Sequence, residues 1–336
     1  MLQDLYPWLK NTYSRVADIH RQGRLPHALL LTGVNGIGKR RFADRLAKAL
    51  LCEQAGADLS PCQQCPSCLL NQAGTHPDYL KIVPEEEGKA VLVDQIRELT
   101  SSLSLMSHRG GHMVAVLYPA EAMNANAANS LLKTLEEPTD NTLVVLLSAR
   151  PAHLPATIRS RCQQLHLRSP DREVALNWLM EQQPDTDSEL LLDLAADAPL
   201  LAREMGEGNI LEDRERRFTQ LVDLRNGTAD PVNIAQEWCK DTDLKMIAWL
   251  QGWLMDMIRI QQTGGRATVR NRDLEGGLQA MAGGMDITGL FNRLDRVTQA
   301  LRYRSANINH QMMIEDLLIA WVAQDTGRKS TQGLSR

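Results

Sequence analysis

The sequence lacks the features of a membrane-bound or exported chain. No apolar run approaches the roughly 20 residues that a helix needs to cross a bilayer. The first residues, Met1-Leu2-Gln3-Asp4, carry no basic segment and no long apolar stretch follows them, so we expect no signal peptide. Internal repeats and low-complexity segments are also missing. These absences predict a cytoplasmic protein without membrane contact.

A basic excess is missing as well. Of the 336 residues, 37 are lysine or arginine and 41 are aspartate or glutamate, which gives a formal net charge of -4. A dedicated DNA-binding protein normally carries a basic excess. The charge balance therefore argues against a protein that wraps DNA alone, although it leaves room for a small basic patch. The length is sufficient for two or three domains with their own cores.

Cysteine is scarce outside one short segment. Four of the six cysteines crowd together there: Cys52, Cys62, Cys65 and Cys68. Because cytosolic thiols stay reduced, this clustering indicates a metal rather than disulfides. Zinc takes four thiolates tetrahedrally, and two-residue spacers let the backbone fold around the ion. The sequence therefore predicts a structural zinc module over about residues 52–68, with other metals or free thiols as the alternative.

Three zones follow one another along the chain. Up to about Leu167, helical patterns alternate with short apolar runs, three of which predict buried strands: Ala28–Thr32, Val114–Leu117 and Leu143–Leu147. This alternation favours a parallel α/β sheet with flanking helices. The strand pattern ends near residue 168, and helical patterns then continue through residues 168–208 and beyond. Three glycine pairs predict breaks in the last zone: Gly264-Gly265, Gly276-Gly277 and Gly283-Gly284.

The last zone also contains most of the tryptophans. They recur near helical spacing among leucine, isoleucine and methionine: Trp238, Trp249, Trp253 and Trp321. Such a stripe predicts the core of a helical domain. Packing of part of it against neighbouring subunits is the alternative.

A phosphate-binding pattern follows the first predicted strand. The segment Gly33–Lys39 reads Gly-Val-Asn-Gly-Ile-Gly-Lys and precedes a predicted helix, which is the context that a P-loop requires. Glycines let backbone amides surround phosphates at a helix N-terminus, and the lysine reaches the terminal phosphates. The candidate nucleotide-binding residues are Gly33, Gly36, Gly38 and Lys39. The alternative is a glycine-rich turn kept only for packing.

Two parts of a working P-loop ATPase are missing. The residue after Lys39 should be serine or threonine, whose hydroxyl binds magnesium, but it is Arg40. The second apolar strand should be followed by an acidic pair, but Tyr118-Pro119 follow it, and Glu121 comes too late in the chain. The sequence therefore predicts a nucleotide-binding fold with a degenerate catalytic site. Nucleotide binding without turnover, and a weak or unusual ATPase, stay open.

Two motifs carry a resemblance to a known family. Asn129–Pro138 reads Asn-Ser-Leu-Leu-Lys-Thr-Leu-Glu-Glu-Pro and closely resembles the helix signature of the clamp-loader family of AAA+ proteins. Ser160-Arg161-Cys162 resembles the Ser-Arg-Cys motif of that family. The cysteine cluster follows the P-loop helix, as it does in the bacterial members. These features cover the first two-thirds of the chain.

The resemblance implies a fold and a domain order. It implies an AAA+ domain over residues 1–167, with a RecA-like parallel sheet, flanking helices and the zinc module as an insertion. A small helical lid domain over residues 168–208 and an all-helical collar domain over residues 209–336, which serves oligomerisation, are expected to follow.

The resemblance also implies a function. In the family the Ser-Arg-Cys arginine, here Arg161, reaches ATP bound by a neighbouring subunit. An intact Ser-Arg-Cys beside a degenerate P-loop implies a member without intrinsic catalysis, since the gamma/tau motor subunit keeps a full P-loop and an acidic pair. In our alignment Leu200 occupies the position of the family's sensor-2 arginine, and Ser148 lies near the sensor-1 position.

The implied partners are the gamma/tau ATPase subunits and the delta subunit of the DNA polymerase III clamp loader. Through this ring the chain would act on the sliding clamp and primed DNA during replication, as part of the DNA-directed DNA polymerase (nucleotidyltransferase) assembly at the nucleoid. Two other functions compete with this prediction. One is an autonomous P-loop ATPase, and the other is a zinc-dependent DNA-binding module.

Overall fold

The structure is a computed structural model that describes residues 5–86, 88–105, 107, 111–241, 244–266, 268–303 and 308–322. These residues form two compact units. The first unit comprises Met1–Leu179 with Asp197–Leu201, and the second comprises Met180–Ala196 with Ala202–Arg336, as far as they are described. The boundaries of the three predicted domains stay a prediction.

A parallel sheet forms the centre of the first unit. The five strands described are β1 Ala28–Thr32, β2 Tyr79–Ile82, β3 Met113–Leu117, β4 Thr142–Ser148 and β5 Gln163–His166. Their order across the sheet is β2-β3-β4-β1-β5, and all neighbours are parallel. In register, Leu30 lies opposite Leu146 of β4. The predicted RecA-like parallel sheet is confirmed, and so are the three predicted strands.

Helices cover both faces of this sheet. The helices that lie before and between its strands are α1 Lys10–Arg21, α2 Lys39–Leu50, α3 Pro66–Ala73, α4 Val93–Leu103, α5 Ala125–Glu136 and α6 Ala156–Arg159. Leu31 of β1 packs into a core with Phe42 of α2, whereas its neighbour Leu30 packs into a second core with Leu131 of α5. Because successive strand residues point to opposite faces, both faces of the central strands are buried. This explains their uninterrupted apolar sequences.

Helices make up the rest of the described chain. They are α7 Arg172–Gln182, α8 Ser188–Leu194, α9 Pro199–Gly206, α10 Ile210–Asn226, α11 Pro231–Trp238, α12 Lys245–Thr263, α13 Glu275–Gly283, α14 Ile287–Tyr303 and α15 His310–Val322. The predicted helical character of this part is confirmed. No helix within the described residues is long and apolar enough to span a bilayer.

The second unit has a core built around tryptophan. Trp238, Trp253 and Trp321 are fully or almost fully buried, and Trp249 lies at the edge of the same cluster. The predicted tryptophan core is confirmed. The predicted glycine breaks are confirmed at Gly264, which ends α12 with a positive φ, and at Gly284, which follows α13. The prediction of a break at Gly276-Gly277 is wrong, because both glycines lie in the first turn of α13.

Candidate functional site: a closed glycine loop, an exposed arginine and a four-cysteine cluster

The glycine loop joins the end of β1 to the start of α2, as the sequence predicts. Gly36 has a φ of +77°, and a Cβ atom there would lie 2.9 Å from the backbone nitrogen of Leu201. The amide of Leu200 donates to the carbonyl oxygen of Gly36 at 3.0 Å. Gly36 therefore has to be glycine both for its backbone conformation and for this close approach. Leu200 lies at the loop but brings no cation to it.

Lys39 is turned back onto the loop. Its Nζ atom donates to the carbonyl oxygens of Gly33 at 2.7 Å and Val34 at 2.8 Å. The side chain is almost completely buried. Burial lowers the pKa of Lys39 to about 8, and the negative charge of Glu121 opposes part of this shift. The amine that would reach phosphates in a P-loop is thus held by the loop's own backbone in this structure.

The two residues that replace the expected magnesium ligands contact each other. The guanidinium carbon of Arg40 lies 5.1 Å from the centre of the Tyr118 ring, a distance typical of a cation–π contact. Arg40 has no oxygen in its side chain, and Tyr118 offers a neutral phenol instead of the carboxylate oxygens and water that magnesium prefers. Glu121 comes too late in the chain to be part of the expected acidic pair. Its negative charge raises the pKa of Lys39, and its Oε1 accepts a hydrogen bond from the Ala149 amide at 3.1 Å.

A cleft of about 670 Å³ extends from the glycine loop along α2. Its lining includes five basic side chains: Lys39, Arg40, Arg41, Arg45 and Lys48. Asp44 is the acidic residue in this lining, and its Oδ1 already pairs with the Lys81 ammonium at 3.2 Å and accepts from the Tyr79 hydroxyl. The lining of the cleft therefore carries more basic than acidic side chains. Arg45 was not among the predicted site residues, although its spacing from Arg41 and Lys48 places all three on one face of α2.

Arg161 lies just after α6 and is about one-third exposed. Its Nε donates to Oε1 of Glu136, at the end of α5, at 2.6 Å, and its Nη2 contacts the same oxygen. Its Nη1 donates to the carbonyl oxygen of Thr157 at 3.1 Å. The structure thus brings together the two motifs that carried the resemblance, because the helix signature supplies Glu136 and the Ser-Arg-Cys motif supplies Arg161.

The four predicted metal ligands converge. The sulfur atoms of Cys52, Cys62, Cys65 and Cys68 all lie within 4.8 Å of one another. Cys52 and Cys65 have their Sγ atoms 3.9 Å apart, and so have Cys62 and Cys68. Four thiolates bound tetrahedrally at about 2.3 Å from zinc would lie about 3.8 Å apart. The donor set and its spacing therefore fit a zinc ion.

Backbone amides around the sulfur atoms favour thiolates. The Cys62 amide donates to Cys52 Sγ at 3.2 Å, and the Cys65 amide donates to Cys62 Sγ at 3.4 Å. The amides of Gln64 and Cys65 lower the pKa of the Cys62 thiol to about 6, whereas burial raises the pKa values of Cys52 and Cys68. A cation would supply the missing stabilisation for the buried thiolates.

Comparison with known proteins gives a consistent result. The family model "DNA polymerase III, delta subunit" matches residues 8–171, and the model of its C-terminal part matches residues 209–323. The DNA polymerase III subunit delta' of Pseudomonas aeruginosa is 33% identical, with 96% of this chain and 98% of the relative covered. The chain belongs to the DNA polymerase III delta-prime family. The resemblance to the clamp-loader family that the sequence motifs carry is therefore confirmed, and the matching member is the delta-prime subunit.

Other delta-prime proteins match over similar lengths. The subunit delta' of Escherichia coli is 32% identical, with 94% of each chain covered. Among solved structures, a gamma subunit-related protein of DNA polymerase III from Thermotoga maritima matches with a TM-score of 0.44 and 17% identity, covering 93% of this chain and 98% of that one. This TM-score lies below 0.5, so the likeness adds nothing to the fold described above.

Metal removal tests the cysteine cluster of this delta-prime family member. A strong chelator is expected to loosen residues 52–68 without unfolding the first unit, because the cores on the two faces of the sheet contain none of the four cysteines. The rate of backbone amide hydrogen exchange should rise in this segment and stay unchanged in β1. Replacement Cys65→Ser should reproduce the effect, whereas Cys239→Ser, at a lone cysteine of the second unit, should not. Global unfolding by the chelator would contradict this prediction.

Proposed function

We propose that this delta-prime family member is the non-hydrolysing subunit of the DNA polymerase III clamp loader. It occupies a hetero-oligomeric ring with gamma/tau and delta subunits, helps to load the sliding clamp onto primed DNA, and supplies Arg161 to ATP bound by a neighbouring ATPase subunit. The cytoplasmic location, at the nucleoid with the replisome, is part of this proposal. The observation that carries it is the contact between Arg40 and Tyr118 where magnesium ligands are required.

The lack of hydrolysis follows from the chemistry of the glycine loop. Phosphoryl transfer depends on a magnesium ion that bridges phosphates and neutralises developing charge, and on a residue that orients the attacking water. Arg40 puts a second cation where the metal would bind. Lys39 would have to leave two backbone carbonyls before it could reach a phosphate. Both features support a site that keeps the fold of a P-loop without its turnover.

The surroundings of Arg161 support its use by another subunit. Its partner Glu136 is 47% exposed, and ion pairs at such exposed positions contribute only about 0–1 kcal/mol. Arg161 can therefore exchange Glu136 for a phosphate oxygen at low cost. A planar guanidinium binds a phosphoryl group through two parallel hydrogen bonds. An arginine placed in trans then stabilises the charge that spreads over the transferred group.

The cysteine cluster supports a structural metal. Cys52, Cys62, Cys65 and Cys68 would together hold zinc, and four protein ligands leave no position for a reacting water. The metal would hold a loop whose own apolar core is small. Within the proposed function this module shapes the first unit and takes no part in hydrolysis.

A steady-state ATPase assay on the purified chain tests the first half of the proposal. We expect no turnover above background with magnesium and ATP, with or without primed DNA. Robust turnover would favour the autonomous ATPase instead. Reconstitution with the candidate motor subunits tests the second half, and the chain should enter the complex and be required for its clamp-loading activity. Tight, salt-dependent DNA binding by the isolated chain would favour the DNA-binding alternative.

A further inference from the structure

The wall of the basic cleft contains a buried arginine without a counter-charge. Arg45 is only 6% exposed, and its Nε and Nη2 atoms are buried without a hydrogen-bond partner. No carboxylate among the described residues forms an ion pair with it. Burying an ionised group costs several kcal/mol unless it is paired and hydrogen-bonded. A buried, uncompensated guanidinium that lines an open cleft is therefore expected to have an anionic ligand.

The contacts of Arg45 fix its position without neutralising it. Its guanidinium carbon lies 5.2 Å from the centre of the Tyr13 ring. Burial raises the pKa of Tyr13 and the positive charge of Arg45 opposes this shift, so the phenol stays neutral. The Tyr13 hydroxyl proton is used by the Leu59 carbonyl. The aromatic ring thus orients the guanidinium but leaves its charge for a ligand in the cleft.

Two further cations lie on the same face of the helix. Arg41, Arg45 and Lys48 are spaced by four and three residues along α2, so their side chains follow one another on one face. All three line the cleft, and Pro61 of the cysteine-rich segment lines it too. Lys39 is separate from this group because its amine is bound by Gly33 and Val34.

We propose that Arg41, Arg45 and Lys48 form a binding site for a small polyphosphate anion, beside the glycine loop rather than in it. Three cations in a row match a ligand with two or more linked phosphates better than a single phosphate or a carboxylate. The cleft, at about 670 Å³, suits a small molecule rather than a duplex. The linked phosphates belong either to inorganic pyrophosphate or to a nucleotide, and the experiment distinguishes these sources. The site is independent of the proposed role in the clamp loader.

Calorimetric titration of the full chain with inorganic pyrophosphate, without magnesium, tests the site. Replacing Arg45 by methionine, which has a similar length without charge, should weaken binding by about 10- to 100-fold, as expected for lost hydrogen bonds to a charged group. Lys48→Met should weaken it less. Arg21→Met removes an exposed arginine that pairs with Asp18 and should leave binding unchanged. Lys39→Met should weaken it less than Arg45→Met does, because the Lys39 amine donates to the carbonyl oxygens of Gly33 and Val34. Titration with ADP reports whether a nucleoside adds affinity.

Thermal melting supplies a second readout that a merely structural arginine would not give. Pyrophosphate should raise the Tm of the wild-type chain but not that of Arg45→Met. Without pyrophosphate, Arg45→Met should melt no lower than wild type, because it removes an uncompensated buried charge. Should that variant fail to fold, Lys48→Met decides, and unchanged affinity there would overturn the proposal. So would the absence of wild-type binding at millimolar pyrophosphate, or binding lost in Lys39→Met and kept in Arg45→Met.

Discussion

Replacing Arg161 by alanine is expected to lower ATP hydrolysis at the neighbouring site by about 10³-fold or more, which is the size of the effect when an arginine supplied in trans is removed from GTPases. The variant chain should fold and enter the ring normally, because the hydrogen bonds of Arg161 within the described part of the chain go to Glu136, Ser160 and Thr157 at the surface of the first unit. The measurement is the first turnover of bound ATP in the reconstituted complex with primed DNA. Under single-turnover conditions, the ATP bound at the site that adjoins this chain should be the fraction of bound ATP that stays unhydrolysed.

Two control variants sharpen the Arg161 experiment. Arg161→Lys keeps the positive charge but loses the planar fork that binds two phosphate oxygens, so it should restore only part of the rate. Arg21→Ala removes a more exposed arginine that also pairs with one carboxylate, Asp18, and the rate should not change. An unchanged first turnover with Arg161→Ala would exclude this arginine as the group that stabilises the transferred phosphate.

Replacing Trp253 by alanine is expected to reduce the free energy of unfolding of the second unit by about 3–5 kcal/mol, the usual cost of removing a large buried aromatic side chain. Trp253 is completely buried. Its ring packs edge-on against Phe218, with centroids 5.3 Å apart, and lies 5.7 Å from the guanidinium carbon of Arg214. Urea unfolding followed by circular dichroism measures the change.

The matched control for Trp253 is Phe291→Ala on α14. Phe291 belongs to the same unit but is 45% exposed, so its removal should change the free energy of unfolding of the isolated chain by less than about 0.5 kcal/mol. Equal effects of the two substitutions would mean that the tryptophan cluster does not stabilise the second unit as its burial indicates.

The three strands that the sequence predicts are central in the sheet, whereas the two strands that it does not predict lie at the edges. β1, β3 and β4 are buried on both faces, and their continuous apolar runs predict them correctly. β2 and β5 lie at the two edges of the sheet and read Tyr-Leu-Lys-Ile and Gln-Gln-Leu-His. Edge strands are only partly covered, so they carry polar residues and lose the apolar signal. Their pairing with β3 and β1 is visible only in the tertiary structure.

For the candidate sites, too, the sequence predicts some features and only the structure shows the others. The cysteine spacing alone predicts a four-ligand cluster, and the structure brings the sulfur atoms together. The glycine pattern locates the loop, but it does not show that Lys39 binds the loop's own carbonyls. The sequence pattern also does not distinguish Arg45 from the other basic residues of the chain. Its burial beside Tyr13 appears only when α1 packs against α2.

The sequence by itself determined the family, the α/β character of the first unit, the helical character of the second and the set of four cysteines, because short-range patterns of glycine, cysteine and apolar residues carry these properties. Only the tertiary structure decided that Arg40 meets Tyr118, that Arg161 rests on Glu136 and that Arg45 lies buried without a counter-charge. These contacts join residues on different elements or depend on burial. Packing of helices against the sheet creates them, and no local pattern encodes that packing.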